Sequence, residues 1–340
     1  MKRLVVSLVA LLTAATAAHA QSWKDSPEVQ ALYQKAKAEG SVTEWETSGQ
    51  GKDWLGPEFN KLFPGIKVDF YGDNDIATKA ITEARGGHNA VDVFYGSLTI
   101  IQPVDNRGLI TSDVDWKPFG IAPENTSFKG KMAYTNNIVY AVAYNTKLAT
   151  AADMPKQWTD LLDPQYQGKM VASTFLLPRM IGALGLVWGQ DKAVQFAHDI
   201  VDKTGILLTR NPRDPILAAG ERSIAIAEVD GNPKQWARDG LPVGYVVPAP
   251  VVSGQFGVTV MAKAPHPNAA RLFAGWLASA EGRRARRDAE FTIDLSKGTD
   301  DPEAKTLLAS GVQVIYDTPD LMEQRDKLIS AVSPVISRQK

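Results

Sequence analysis

Val42-Thr-Glu-Trp-Glu-Thr-Ser-Gly49, Ile66-Lys-Val-Asp-Phe-Tyr-Gly72 and Val91-Asp-Val-Phe-Tyr-Gly-Ser97 are three strand-like runs within the stretch Gly40 to Ser97. Helix-like runs, Lys52 to Phe63 and Asp75 to Arg85, separate them. Each strand-like run ends in small or polar residues: Ser48-Gly49, Gly72-Asp73-Asn74 and Gly96-Ser97. This β-α-β-α-β punctuation predicts a parallel sheet with helices on its faces. In open α/β sheets ligands sit beyond the carboxyl ends of the strands. The stretch therefore offers three candidate ligand loops, and none carries an obvious catalytic set. Ser48, Asn74, Tyr95 and Ser97 are the residues expected on a cleft wall. Tyr71 and Tyr95 end their strands, where a ring can meet a ligand or pack in the core. Trp45 and Trp54 read as packing residues.

Upstream, the chain opens with an address. Lys2 and Arg3 precede an apolar run from Leu4 to Ala18, and Ala18-His19-Ala20 is a small-x-small cleavage site. A secretory signal peptide over residues 1–20, cleaved after Ala20, is expected. The run is too short to span a bilayer comfortably. Cleavage of 20 residues from 340 leaves 320, more than one core usually holds, so two lobes are expected. The chain has no cysteine. That excludes thiol chemistry, thiolate metal sites and a lipid-modified N-terminal cysteine, and a chain this long needs no disulfides. A formal net charge of −1 argues against nucleic-acid binding, which needs a basic surface. The basic cluster Arg283, Arg284, Arg286 and Arg287 reads as a solvated helix face.

Downstream, Tyr134 to Asn145 alternates with period two and predicts a long strand, suited to cross between lobes. The α/β pattern then restarts. Strand-like runs end at Ser173-Thr174, at Thr209-Arg210-Asn211 and at Asp230-Gly231-Asn232. Val243 to Val247 and Val258 to Ala262 are further strands, Pro267 to Ala278 is a strong helix, and the tail from Ala304 is mostly helical. Residues 21–133 and 254–340 are expected to form lobe one, and residues 134–253 lobe two with the hinge strands.

Several segments carry a family resemblance: Asp92-Val-Phe-Tyr-Gly-Ser97, Val142-Ala-Tyr-Asn-Thr146, the run Met154 to Lys169, Ile216-Leu-Ala-Ala-Gly-Glu221, the run Val258 to Ala270, and Phe273 to Gly282. Together they span nearly the whole mature chain. The chain resembles the periplasmic solute-binding proteins of ABC importers, in the branch containing the ferric-ion-binding proteins. The resemblance implies an α/β, two-lobed, type II periplasmic-binding-protein-like fold. Each lobe would be a mainly parallel sheet flanked by helices, with the cleft between lobes. It implies hinge closure on a solute, delivery to an ABC permease in the membrane, and a monomer in the periplasm; no enzyme activity, cofactor or metal is expected.

Ferric members of the family use a first-loop His and a pair of adjacent tyrosines in the second lobe. Here Gly51 stands at the His position, and no Tyr lies in Glu228 to Trp236. Carboxylates such as Asp73, Asp75, Glu228 and Asp230 remain as possible ligands for a hard cation. The family's anion-binding features match better. A hydroxyl loop opening a second-lobe helix corresponds to Ser173 and Thr174, and a strand-end Asn to Asn211. A helix N-terminus there favours an anion, and Arg210 and Arg179 stand near those loops. Guanidinium binds carboxylate or phosphate bidentately. The ligand set expected is thus Ser48, Asn74, Tyr95, Ser97, Ser173, Thr174, Arg179, Arg210, Asn211, Glu228 and Asp230, for a small organic anion: carboxylate, phosphate or phosphonate. The alternative is a ferric ion or ferric complex held by a different set. No Gly-x-Ser-x-Gly, His-Glu-x-x-His or P-loop pattern is present, and Gly49-x-Gly51 lacks the third glycine of a dinucleotide fingerprint.

Overall fold

A computed structural model describes residues 23–47 and 49–337. The expected signal peptide and Ser48 lie outside the described residues. Helix α1 (Pro27–Glu39) starts where Ser26 Oγ accepts from the Val29 amide at 3.3 Å, and it stops at Gly40 with φ 79°, a left-handed position that glycine occupies without a Cβ clash. Next come β1 (Ser41–Glu46), α2 (Leu55–Leu62), β2 (Lys67–Gly72), α3 (Ile76–Arg85), β3 (Val93–Ser97) and α4 (Leu98–Asp105). Strand β1 pairs in parallel with both β2 and β3. The loops after these three strands therefore open at the same end of the sheet, as the opening motif predicts.

The chain continues through β4 (Thr126–Ser127), β5 (Met132–Asn145), β6 (Met170–Ser173), α5 (Leu176–Trp188), α6 (Gln190–Lys203), β7 (Leu207–Thr209), α7 (Asp214–Ala219), β8 (Ile224–Val229), α8 (Gly231–Arg238) and β9 (Val243–Val246). It ends with β10 (Val251–Val260), α9 (Pro267–Ala278), α10 (Ala280–Glu290), α11 (Pro302–Ala309), β11 (Val314–Tyr316) and α12 (Met322–Ile336). The path across the sheet is β2-β1-β3-β10-β5-β8-β6-β7. The long strand β5 is the crossover. Its first part pairs antiparallel with β10, its second part antiparallel with β8 and β9. Beyond it, β6 runs parallel to both β7 and β8. The result is a type II periplasmic-binding-protein architecture: two mainly parallel sheets joined by two antiparallel strands.

Each sheet is covered on both faces. Phe59, Phe63, Phe273 and Trp276 fill one face of the first, and Trp45, Phe94 and Ile101 the other. Helix α9 shows why the sequence commits to this. Nine of its 12 residues are buried, and each large apolar side chain removed from water contributes roughly 1.5–3 kcal/mol. In the second sheet, Trp158, Met180, Phe196 and Val332 fill one face, and Leu217, Ala225 and Val243 the other.

Four features depart from the sequence expectations. Strand β10 begins at Val251 rather than near Val258, because its first residues pair with β11 and with Val139 to Asn136 of β5. Strand β11 was unforeseen. Helix α12, grouped by sequence position with lobe one, packs against α5 and α6. The Arg-rich helix is not a solvated face: Arg283 and Arg286 are buried, Arg283 pairs with Asp294 at 2.9 Å, and Arg284 and Arg287 both pair with Asp300. No helix among the described residues is long and apolar enough to cross a membrane.

Candidate functional site

The loops after β1, β2 and β3 face the start of α5 across β5 and β10, and a cavity of about 760 Å³ lies between them. Thr47, Asn74, Ser97, Thr99 and Ile100 form one wall. Phe175, which precedes α5, and Leu176, Arg179 and Ala183 of α5 form the opposite wall. The floor is Ile138 and Tyr140 of β5 with Val252, Ser253, Gly254 and Phe256 of β10. Asp317 and Arg325 close one end. A strand-end loop on one wall and a helix start on the other is the arrangement in which two sheets can share one ligand.

The charged groups gather at the α5 end. The Arg179 guanidinium stacks 3.4 Å from the centroid of the Phe175 ring, and its Nη1 donates to the Phe175 carbonyl oxygen at 2.8 Å. Phe175 itself is 60% exposed, an aromatic left at the rim with no core to fill. Asp317 and Arg325 form an ion pair. Burial pushes the Asp317 carboxyl up and Arg325 holds it down. Burial also lowers the Arg179 guanidinium, and neighbouring Arg325 lowers it further. Tyr140 is pushed up to about 12 by burial and by Asp317, so its phenol stays protonated as a hydrogen-bond donor. The opposite wall carries no charge. Thr47, Asn74, Ser97 and Thr99 offer hydroxyls and an amide, with Ser97 Oγ and Thr99 Oγ1 2.9 Å apart.

Of the residues expected from the sequence, Asn74, Ser97 and Arg179 line this cavity, and Ser48 lies outside the described residues. The others sit elsewhere. Tyr95 turns into the sheet, where its hydroxyl donates to Asn136 Oδ1 at 2.9 Å and Phe256 stacks over it at 5.8 Å. Ser173 is buried and caps α5, its Oγ accepting from the Phe175 and Leu176 amides at 3.1 and 3.3 Å. The free N–H groups expected for an anion are thus partly consumed. Thr174 is tied by its amide to the Thr209 carbonyl, and neither it nor Arg210 nor Asn211 reaches the cavity lining. Glu228 is held by Arg213 at 2.5 and 2.8 Å and by Asn232 at 2.9 Å. Asp230 accepts from the Val139 amide at 2.9 Å and pairs with Lys234 at 2.8 Å. Both acids are structural, fully buried and already partnered.

Sequence reading missed Thr47, Thr99, Tyr140, Phe175, Ser253, Phe256, Asp317 and Arg325. Thr47, Thr99 and Phe175 adjoin positions already singled out and a wider window would have caught them. Asp317 and Arg325 had no local signal, because only the pairing of β11 with β10 and the packing of α12 on α5 bring the tail to the cleft.

Gly51 has a physical reason of its own. Its amide donates to Glu46 Oε1 at 3.0 Å, and a Cβ there would lie 2.5 Å from Leu55 Cδ1 and 2.8 Å from Phe70 Cε2. The loop is pressed onto a buried acid cluster, so a side chain at position 51 would have to displace Leu55 and Phe70. Behind it Arg286 Nη1 donates to both Glu290 oxygens at 2.9 Å, and its guanidinium lies 3.8 Å from the Tyr95 ring centroid. Among the described residues, no group of three or more His, Asp or Glu side chains has the geometry to hold a metal ion.

The model of the bacterial extracellular solute-binding protein family matches residues 54–289. An uncharacterized protein of Haemophilus influenzae is 28% identical over 245 residues, 64% of this chain and 67% of that one. Among solved structures, iron-bound HitA of Pseudomonas aeruginosa aligns with a TM-score of 0.71 at 18% identity, over 87% of this chain and 99% of that one. AfuA of Actinobacillus pleuropneumoniae, with exogenous fructose-6-phosphate bound, aligns with a TM-score of 0.67 at 20% identity, over 87% and 98%. The substrate-binding protein of an ABC transporter from Agrobacterium tumefaciens aligns with a TM-score of 0.70 at 15% identity, over 88% and 96%. The family match covers most of the chain and the fold repeats that of periplasmic solute-binding proteins of ABC importers. The chain belongs to the bacterial extracellular solute-binding proteins.

Proposed function

We propose that the cleft captures a small organic anion carrying hydroxyl groups and that the protein delivers it, unchanged, to an ABC-importer permease. The single observation that carries this reading is the division of the cavity lining. Arg179 and Arg325 stand at one end, and the hydroxyls and amide of Thr47, Asn74, Ser97 and Thr99 stand on the facing wall. Guanidinium suits a carboxylate, phosphate or phosphonate head. The neutral wall suits a polar body. Capture would close the two sheets about β5 and β10, with α12 moving as part of the second. A periplasmic monomer released by cleavage after Ala20 is the form in which this would operate.

The ferric alternative has HitA in its favour. Against it stand the crowding at Gly51, the full partnering of Glu228 and Asp230, and a lining whose only carboxylate among the described residues is already paired with Arg325. A thermal-shift screen separates the two readings, since a ligand of the folded state raises the midpoint by mass action. Stabilisation by organic acids or phosphate esters, with the compound recovered intact, is the expected result. Stabilisation by ferric salts alone would overturn it.

A further inference from the structure

Arg179, Asp317 and Arg325 are the charged side chains lining the cleft among the described residues. Asp317 directly follows β11, which pairs with the hinge strand β10. Arg325 lies in the first turn of α12, on the second sheet's helices. Their side chains are 9% and 14% exposed, so the pair is largely withdrawn from water and sums to zero charge. Arg179 alone leaves a net charge of plus one. Asp326 also lies 4.0 Å from Arg325, but it is 61% exposed and outside the lining, so solvent screens it.

An ionised carboxylate can only accept hydrogen bonds. A ligand oxygen beside Asp317 must therefore bring a proton or be repelled. We propose that Asp317 is the specificity-determining residue of the cleft, restricting the solute to a single negative charge with a hydroxyl or protonated oxygen beside it. The inference rests on the anion reading above and narrows it. Hydroxy acids and singly ionised esters satisfy it. Fully ionised dianions meet the Asp317 charge in a partly dry site, where a unit charge a few ångströms away is worth far more than in bulk water. Removing that charge frees Arg325 and raises the net charge of the cleft by one.

The test uses matched pairs of probes at pH 8, where a phosphate monoester is doubly ionised and a sulfate ester or carboxylate singly. Glucose 6-sulfate is compared with glucose 6-phosphate, and glycerate with glycerol 3-phosphate, by calorimetric titration of the wild-type protein, Asp317→Asn and Asp326→Asn. The affinity ratio of dianion to monoanion is expected to rise about tenfold or more in Asp317→Asn and to stay unchanged in Asp326→Asn. Should Asp317→Asn fail to fold, Asp317→Ser is expected to show the same rise. An unchanged ratio in a folded Asp317 variant that binds both members of a pair overturns the charge rule alone. An equal rise in Asp326→Asn also overturns it, because the effect would then be one of net charge. If none of the four probes binds any of the proteins, the anion reading itself fails and the charge rule falls with it.

Discussion

Behind the loop that follows β1, one guanidinium stands among three carboxylates; in the cleft, two guanidiniums stand with one. The first group is Arg286 with Glu44, Glu46 and Glu290, all buried. It is closed by the Gly51 loop and walled by the Tyr95 and Trp54 rings, 3.8 and 5.1 Å from the guanidinium. The second is Arg179 and Arg325 with Asp317, bordering a cavity of about 760 Å³. In the dry group the excess is negative, and burial, followed by the Glu46 charge, pushes the Glu44 carboxyl well above its ordinary range. A protein can satisfy an excess of acid internally by keeping a proton. It cannot do the same with an excess of guanidinium, which stays charged. The excess positive charge is left where a ligand can meet it. The contrast separates a closed, structural charge cluster from one that borders an open cavity.

The contrast breaks first if the dry cluster is dispensable. Arg286→Ala strands Glu290 and Glu46 without their cation, and a loss of about 3–5 kcal/mol in urea unfolding is expected. A loss below about 1 kcal/mol would mean that the cluster is hydrated and not structural. Gly51→His should follow, costing about 1–3 kcal/mol because its Cβ has no room against Leu55 and Phe70, and it should confer no stabilisation by ferric salts. A His at position 51 that folds normally and gains ferric stabilisation would show the loop to be adaptable.

A finer effect concerns Glu44. Its carboxyl is raised well above the ordinary value of 4.5. The folded chain therefore holds this proton after the unfolded chain has released it, and stability drawn from Glu44 falls as pH rises above 4.5. Glu44→Gln removes that dependence. Its stability relative to wild type is expected to grow as pH rises above 4.5, as read by urea midpoints. A difference independent of pH would mean that Glu44 is ionised in the fold.

How much of this was legible in the sequence follows the same division. The opening β-α-β-α-β unit was readable because turn residues punctuate it, and Asn74 and Ser97 could be placed at strand ends that line the cavity. Strand β5 was readable from its period of two. Glu44 and Glu46 were not, since their alternation with Thr43 and Trp45 looks like an ordinary half-exposed strand. Arg283 and Arg286 looked like surface residues because an i,i+4 acid such as Glu290 is ordinary on an exposed helix face and nothing local announces that Asp294 will cover Arg283. Tyr95 looked like a cleft residue because strand position fixes which end a side chain occupies but not whether a guanidinium lies beneath it. Asp317 and Arg325 were invisible for the plainest reason. Asp317 reaches the cleft because β11 pairs with β10, and Arg325 because α12 packs on α5 and α6, more than a hundred residues away in sequence.

The most direct test of the account is the role of Arg179. Calorimetric titration of the organic anion that most raises the wild-type unfolding midpoint should give about 10- to 100-fold weaker binding to Arg179→Ala, from the loss of a charge-assisted contact, with the urea midpoint of the free protein little changed. Undiminished affinity in Arg179→Ala would contradict the account, because the charge left unmatched in the cleft would then have no part in holding the solute.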